Sequence, residues 1–136
     1  MSSTIGGDGL SVARALLDGI ARRDGAAIDA CLTRDAKLRA LTPHRLREEE
    51  NGSDAIVARY ADWLDPLEDF ELLAADAELV VDRVRIRYRF RGRDPKHGWQ
   101  ENEHTAYAEM RGTQIAALNL SCAGFRARSA PPGATA

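Results

Sequence analysis

The sequence predicts an α+β fold in which helices come first and an antiparallel meander comes last. Three observations predict it. From residue 83 to 91 the chain alternates without a break: Val84, Ile86, Tyr88 and Phe90 take one parity, and Arg83, Arg85, Arg87, Arg89 and Arg91 the other. Strict period-2 alternation marks a half-buried strand. In the first half, Leu10, Ala13, Leu16, Leu17 and Ile20, and later Ile56, Tyr60 and Trp63, recur at helical spacing, the mark of amphipathic helices. No glycine-rich phosphate loop follows a strand and no βαβ alternation occurs, which disfavours a nucleotide-binding parallel sheet.

Residues 1–9 (MSSTIGGDG) read as a flexible tail, because small polar residues and glycines bury little. Residues 10–23 form a first helix, with Asp18 and Arg22 four apart on its outer face. Asp24-Gly25 breaks it, and Asp24 is placed to cap a short second helix over residues 26–32. Residues 36–41 carry a strand rhythm, with Leu38 and Ala40 inward, ended by Thr42-Pro43 because proline cannot donate to a sheet. Residues 46–52 (LREEENG) read as a polar, solvated loop. Ser53 or Asp54 is expected to cap a third helix running to Leu64, where Asp65-Pro66 stops it. Residues 70–73 and 77–81 read as strand material with a turn near Ala75-Asp76. The long hairpin of residues 80–112 follows. Gly112-Thr113 then turns into a last strand over residues 115–125, and residues 129–136 read as a disordered tail. The domain proper spans residues 10–128.

Bulk composition sets bounds. The chain has 136 residues, 44% apolar and 29% charged, with a formal net charge of −2. That is one domain with a proper core, and it lacks the basic surplus that nucleic-acid binding calls for. Cys31 and Cys122 stand far apart in apolar runs, so they read as small hydrophobes and not as a metal or redox pair. The first residues have neither a basic segment nor an apolar one of signal-peptide type, and no apolar run approaches the ~18 residues of a membrane span. The expectation is a cytoplasmic bacterial protein with no membrane partner.

Four stretches resemble the nuclear-transport-factor-2-like (NTF2-like) superfamily, in its SnoaL-like and ketosteroid-isomerase-like branches. ARRDGAAIDACL (residues 21–32) is similar to the family's helix end, Asp-Gly break and second helix. Residues 35–41 resemble its first strand, GSDAIVARYADWL (residues 52–64) its third helix, and Arg111-Gly112 with residues 115–120 its final hairpin turn and closing strand. The resemblance implies a cone of three N-terminal helices on a curved, mostly antiparallel sheet. It also implies an apolar pocket for a hydrophobic small molecule such as a polyketide or terpenoid, and a homodimer packed through the sheet. The isomerases' catalytic aspartate falls at Ala40 and their tyrosine at Leu16-Leu17, so neither group is present. The cyclase pattern meets only Lys96-His97-Gly98-Trp99 and Asn119 here, which departs from its motif.

Pairing the hairpin strands places the candidate site. With Val84, Ile86, Tyr88 and Phe90 facing the helices, the matching set on the partner strand is His104, Ala106, Ala108 and Met110. Glu101, Glu103, Thr105, Tyr107 and Glu109 then stand beside the arginines, opposite charges sharing a face. The arginine column thus reads as a solvated or dimer-facing side, not an anion-binding surface. In the last strand Leu118, Leu120 and Cys122 are taken as inward and Asn119 as outward. His104 is the titratable side chain aimed at the core. It is a candidate general acid or base, a polar anchor for a ligand, or a core histidine satisfied by a tyrosine hydroxyl. Leu16, Ile56, Tyr60, Trp63, Tyr88, Phe90 and His104 are the candidate ligand-binding residues, and His104 the candidate catalytic one. No cofactor or metal is called for, because His44 and His97 lie in loops without zinc-ligand spacing. An isomerisation, cyclisation, dehydration or epoxide opening would suit one histidine in an apolar pocket; the alternative is a non-catalytic dimeric interaction or stability module.

Overall fold

A computed structural model describes residues 5–43 and 45–133, with the side chains of 5–8 and 45–47 left aside. His44, residues 1–4 of the expected N-terminal tail and residues 134–136 of the C-terminal one lie outside the described residues. In chain order the elements are α1 (Ile5–Arg22), α2 (Gly25–Ala30), β1 (Leu32–Thr42), β2 (Arg45–Asn51), α3 (Ser53–Leu64), β3 (Glu68–Val80), β4 (Arg83–Asp94), β5 (Gly98–Arg111), β6 (Gln114–Cys122) and β7 (Arg126–Ala127). The strands make one curved sheet in the order β2-β1-β6-β5-β4-β3, with β7 added beside β5. All neighbours run antiparallel except β1 and β6, which are parallel. The α+β architecture is therefore as the sequence predicts: three helices cover one face, with α1 on β3, β4 and β6 and α3 on β1 and β2.

The β4–β5 hairpin is the long element the alternation promised. Tyr88 stands opposite His104, Ile86 opposite Ala106 and Val84 opposite Ala108. All six are buried. On β6, Leu118 and Leu120 are buried while Asn119 turns outward and donates from Nδ2 to Glu109 Oε2 at 3.2 Å. On the outer face the arginines are paired, mostly not by the β5 carboxylates expected. Arg85 meets Glu78, Arg87 meets Asp76 at 2.9 Å, Arg91 meets Glu71 at 2.9 Å and Arg93 meets Glu68 at 2.9 Å, all from β3. Arg83–Glu109 and Arg89–Glu101 are longer, at 3.7 and 3.6 Å. Exposed pairs of this kind contribute about 0–1 kcal/mol each, whereas each large side chain buried on the other face contributes about 1.5–3 kcal/mol. The apolar parity holds the sheet; the ladder keeps its outer side soluble.

Five local expectations are corrected. The first helix begins at Ile5, inside the stretch read as a tail. Gly9 is buried against β4, where a Cβ would come within 2.9 Å of Val84 Cγ2, so this glycine permits close helix–strand approach. The LREEENG stretch is strand β2: Glu48 and Glu50 share one face and both reach Arg59 of α3. The cap of α3 is Gly52 at φ 97°, without a side-chain hydrogen bond, instead of Ser53 or Asp54. No turn interrupts β3 at Ala75-Asp76. The strand runs through, with register shifts near Asp69 and Leu73, and the chain reverses at Val81, whose φ is 57°. The closing strand stops at Cys122, and Ala123-Gly124-Phe125 leads to the short β7.

One contact unseen in the sequence ties the helices together. Arg23 leaves α1 at φ 50° and donates from Nη1 to the carbonyls of Leu64 and Leu67 at 3.1 and 2.6 Å. Its guanidinium lies 5.1 Å from the centre of the Phe70 ring, a cation–π distance. Asp24, as expected, caps α2 by accepting from the Ala27 amide at 3.2 Å.

Candidate functional site

The seven residues singled out from the sequence do converge. Tyr88 and Phe90 come from alternate positions of β4, His104 from the facing position of β5, and Ile56, Tyr60 and Trp63 from one face of α3. Leu16 of α1 is buried in the same core. Tyr88 Oη and His104 Nδ1 are 2.8 Å apart, a hydrogen bond that occupies one ring nitrogen. The His104 ring is boxed by Trp63, Tyr88 and Phe90, with centroids 5.2–5.3 Å away. These are edge-to-face aromatic distances.

Close packing here changes the expected role of the cone's interior. Leu16, Ile56, Tyr60, Tyr88, Phe90 and His104 are each no more than 2% exposed, so their side chains fill the space that an apolar pocket would occupy. Burial pushes His104 down to about 3 and Tyr60 up to about 12, and it raises Tyr88 well above its ordinary value. At neutral pH the cluster is an uncharged polar group inside an aromatic box. Among the described residues the Tyr60 hydroxyl, beside that of Tyr88, has no hydrogen-bond partner of good geometry.

Trp63 is only partly buried, unlike the other six. Its ring is held edge-on by Tyr60 and His104, at 5.4 and 5.3 Å, and its outer side borders two cavities. The first, of about 520 Å³, is walled by Pro43, Glu48, Trp63, Cys122 and Phe125. The second, of about 440 Å³, is walled by Asp62, Trp63, Pro66, Leu67, Asp94 and Phe125. Trp63 and Phe125 border both, so the two form one divided mouth over the core. Phe125 leans on Phe90 with centroids 5.9 Å apart and is nearly half exposed, an aromatic lip that is not part of the sealed interior. Gly124 makes that lip possible. Its φ is 95°, and a Cβ there would come within 2.7 Å of Pro43 Cγ.

Polar groups line the rim as well, and Asn102 stands behind the wall at Cys122. Asn102, buried next to His104, donates from Nδ2 to Cys122 Sγ at 3.3 Å. Glu48 borders the first cavity, with Arg59 Nη1 3.4 Å from its Oε1. Asp94 accepts from the Lys96 and His97 amides at 2.7 and 3.1 Å, and these bonds, the Lys96 one foremost, keep its carboxyl below the ordinary range. His97 is mostly exposed beside Asp94. Glu48 and Phe125 escape a sequence reading because the strand carrying Glu48 looks like a loop and Phe125 looks like the end of a strand. The Glu48–Glu50 spacing with Arg59 on the next helix is the trace that Glu48 leaves.

A further depression of about 430 Å³ lies on the opposite side of the sheet, bordered by Arg39, Leu41, Thr105, Tyr107, Asn119 and Ser121. Leu41 and Tyr107 are exposed there, at 58% and 39%. Among the described residues no helix is long and apolar enough to cross a membrane.

Solved structures share this architecture. A candidate ketosteroid isomerase from Kribbella flavida superposes with a TM-score of 0.70 at 15% identity, over 97% of this chain and 88% of that one. A candidate polyketide cyclase from Xanthomonas campestris gives 0.70 at 17% identity, over 87% and 92%. A ketosteroid-isomerase-like protein from Catenulispora acidiphila, in complex with trimethylamine, gives 0.66 at 14% identity, over 80% and 82%. No protein-family model and no curated protein matches the sequence. Identities this low establish the fold and leave the activity to be argued from the site.

Proposed function

We propose that this chain, which has the NTF2-like fold, is a small-molecule-binding protein whose site is the mouth between Trp63 and Phe125. The observation that carries this reading is the 520 Å³ cavity, apolar on several sides and resting on Trp63 and Cys122. A cavity of a few hundred Å³ with aromatic walls and a few convergent polar groups is the usual form of a ligand site. The reading moves the ligand from the sealed interior to its rim. Tyr60, Tyr88, Phe90 and His104 then support Trp63 from behind.

Binding without turnover is the better reading of the interior. A general acid or base works best with a pKa near the operating pH, and burial pushes His104 far below that. An isomerase- or cyclase-type step on a hydrophobic metabolite would need a proton-transfer group that ionises nearer neutrality and touches the ligand.

Exposed Leu41 and Tyr107, beside an apolar depression, favour a second role for the outer face as the contact in a homodimer. Native mass spectrometry should then show twice the chain mass; a monomer at micromolar concentration counts against the dimer.

The neutral dye N-phenyl-1-naphthylamine tests the binding reading. Its fluorescence should rise on saturable binding at one site per chain, and Trp63→Ala should abolish the rise while the circular dichroism spectrum is kept. Equal binding by the variant, or none by either protein, would reject the mouth as the site.

A further inference from the structure

We infer that the mouth selects organic cations, protonated or quaternary amines carrying small apolar groups. This inference rests on the binding reading above and specifies its ligand class. It comes from a mismatch in the charges around Trp63. Glu48 borders the first cavity, and Asp62 and Asp94 border the second. Behind Glu48 stands Arg59, but that guanidinium is shared. It gives its closer contacts to Glu50, with Nε at 2.9 Å from Oε2. Glu48 receives Nη1 at 3.4 Å, and Asp62 lies 3.9 Å from the same nitrogen. Charge-assisted bonds settle at about 2.7–2.9 Å, so among the described side chains Glu48 is held in place with its charge only partly answered. One guanidinium thus serves three carboxylates, two of which face the mouth.

Among the described side chains the mouth is lined by three carboxylates against one arginine, Arg126, with His97 beside Asp94. Arg126 lies on exposed β7 opposite Glu101, whose carboxylate is paired with Arg89 and Arg128, and it also borders the depression these residues line. Trp63 and Phe125 add aromatic walls to both cavities. Ring faces carry negative potential and attract ammonium groups, tryptophan most strongly. An anion would meet three carboxylates and two ring faces against the single arginine. An alkylammonium can set its charge toward Glu48 and its carbon shell against Trp63, Phe125 and Pro43. That arrangement satisfies the carboxylate and buries apolar surface in one step.

Choline and 3,3-dimethyl-1-butanol test this directly, because they share a shape and differ by one charge. Each is titrated against the dye-loaded protein and followed by displacement. Choline should bind about tenfold more tightly than the neutral alcohol, a preference that weakens as salt rises. Glu48→Gln should remove most of that preference, and Glu48→Asp, which keeps the charge, should retain it. Trp63→Leu, which keeps apolar bulk without the ring face, should reduce the preference as well and gives an independent readout if Glu48→Gln does not fold. Equal binding of the two probes to the wild-type protein, or undiminished preference in Glu48→Gln or in Trp63→Leu, overturns the inference while Trp63-dependent dye binding stands. Loss of that dye binding itself overturns both readings.

Discussion

Replacing Tyr88 by phenylalanine deletes one oxygen from the centre of the molecule and leaves the ring in place. That oxygen is 2.8 Å from His104 Nδ1, and both side chains are sealed from solvent. The variant keeps the aromatic contacts to Phe90 and His104 but strands a buried imidazole nitrogen. An unsatisfied buried polar group costs about 1–3 kcal/mol. Relief from burying the hydroxyl offsets part of that, so about 1–2 kcal/mol is the working figure. For a chain of this size it corresponds to a melting point lowered by about 3–8 °C. Urea unfolding at pH 7, with an unchanged m-value, is the assay. The double variant Tyr88→Phe/His104→Leu removes both partners and should be less destabilised than the sum of the single changes, by about 1 kcal/mol of coupling. A Tyr88→Phe variant within about 0.5 kcal/mol of wild type, or strictly additive single changes, would refute the buried hydrogen bond.

Three further outcomes follow from the same geometry. The folded-state pKa of His104, about 3, lies below its unfolded value of 6.5. The unfolded chain therefore takes up the proton first, and the stability this residue gives above about pH 6.5 is lost as pH falls toward 3. The loss should approach about 1.4 kcal/mol per pH unit across the middle of that window, and His104→Leu should flatten it in urea titrations at pH 7, 6 and 5. Adjacent residues of β4 should differ sharply. Arg87→Ala breaks a half-exposed ion pair with Asp76 and should cost less than about 1 kcal/mol, while Ile86→Ala, in the core, should cost about 2–5 kcal/mol by the same assay. Gly124→Ala meets both a left-handed backbone and Pro43, so it should destabilise by about 1–3 kcal/mol and weaken dye binding by displacing Phe125; unchanged affinity would detach the lip from the site.

Much of the architecture is legible because β4 alternates without interruption, and pairing it with β5 then fixes the inward set of both strands. β3 is harder for a definable reason. Phe70 and Leu72 point inward on one parity, the register shifts between Leu72 and Ala74, and Ala77 points inward on the other. A period broken by a bulge looks like two short strands and a turn. β2 is hidden because its order comes from pairing with β1 and from Arg59, not from an apolar face of its own. The site is legible as a set of residues and not as a space. Alternation says that Tyr88, Phe90 and His104 face Tyr60; it does not say that their volumes close the gap between helices and sheet. Phe125 gains its place from Gly124 and Pro43, residues 81 positions apart in sequence that meet only in the folded chain.

The most direct test of the site is a ¹⁵N–¹H spectrum of the labelled protein titrated with 1-naphthol, a neutral and soluble aromatic probe. The Trp63 indole N–H and the amides of Gly124 and Phe125 should move together and saturate, while those of Ala106 and Ala108 beneath the sealed core stay in place. Shifts concentrated at Leu41, Tyr107 and Asn119 on the outer face, or no saturable shift at Trp63, would contradict a ligand site at the mouth.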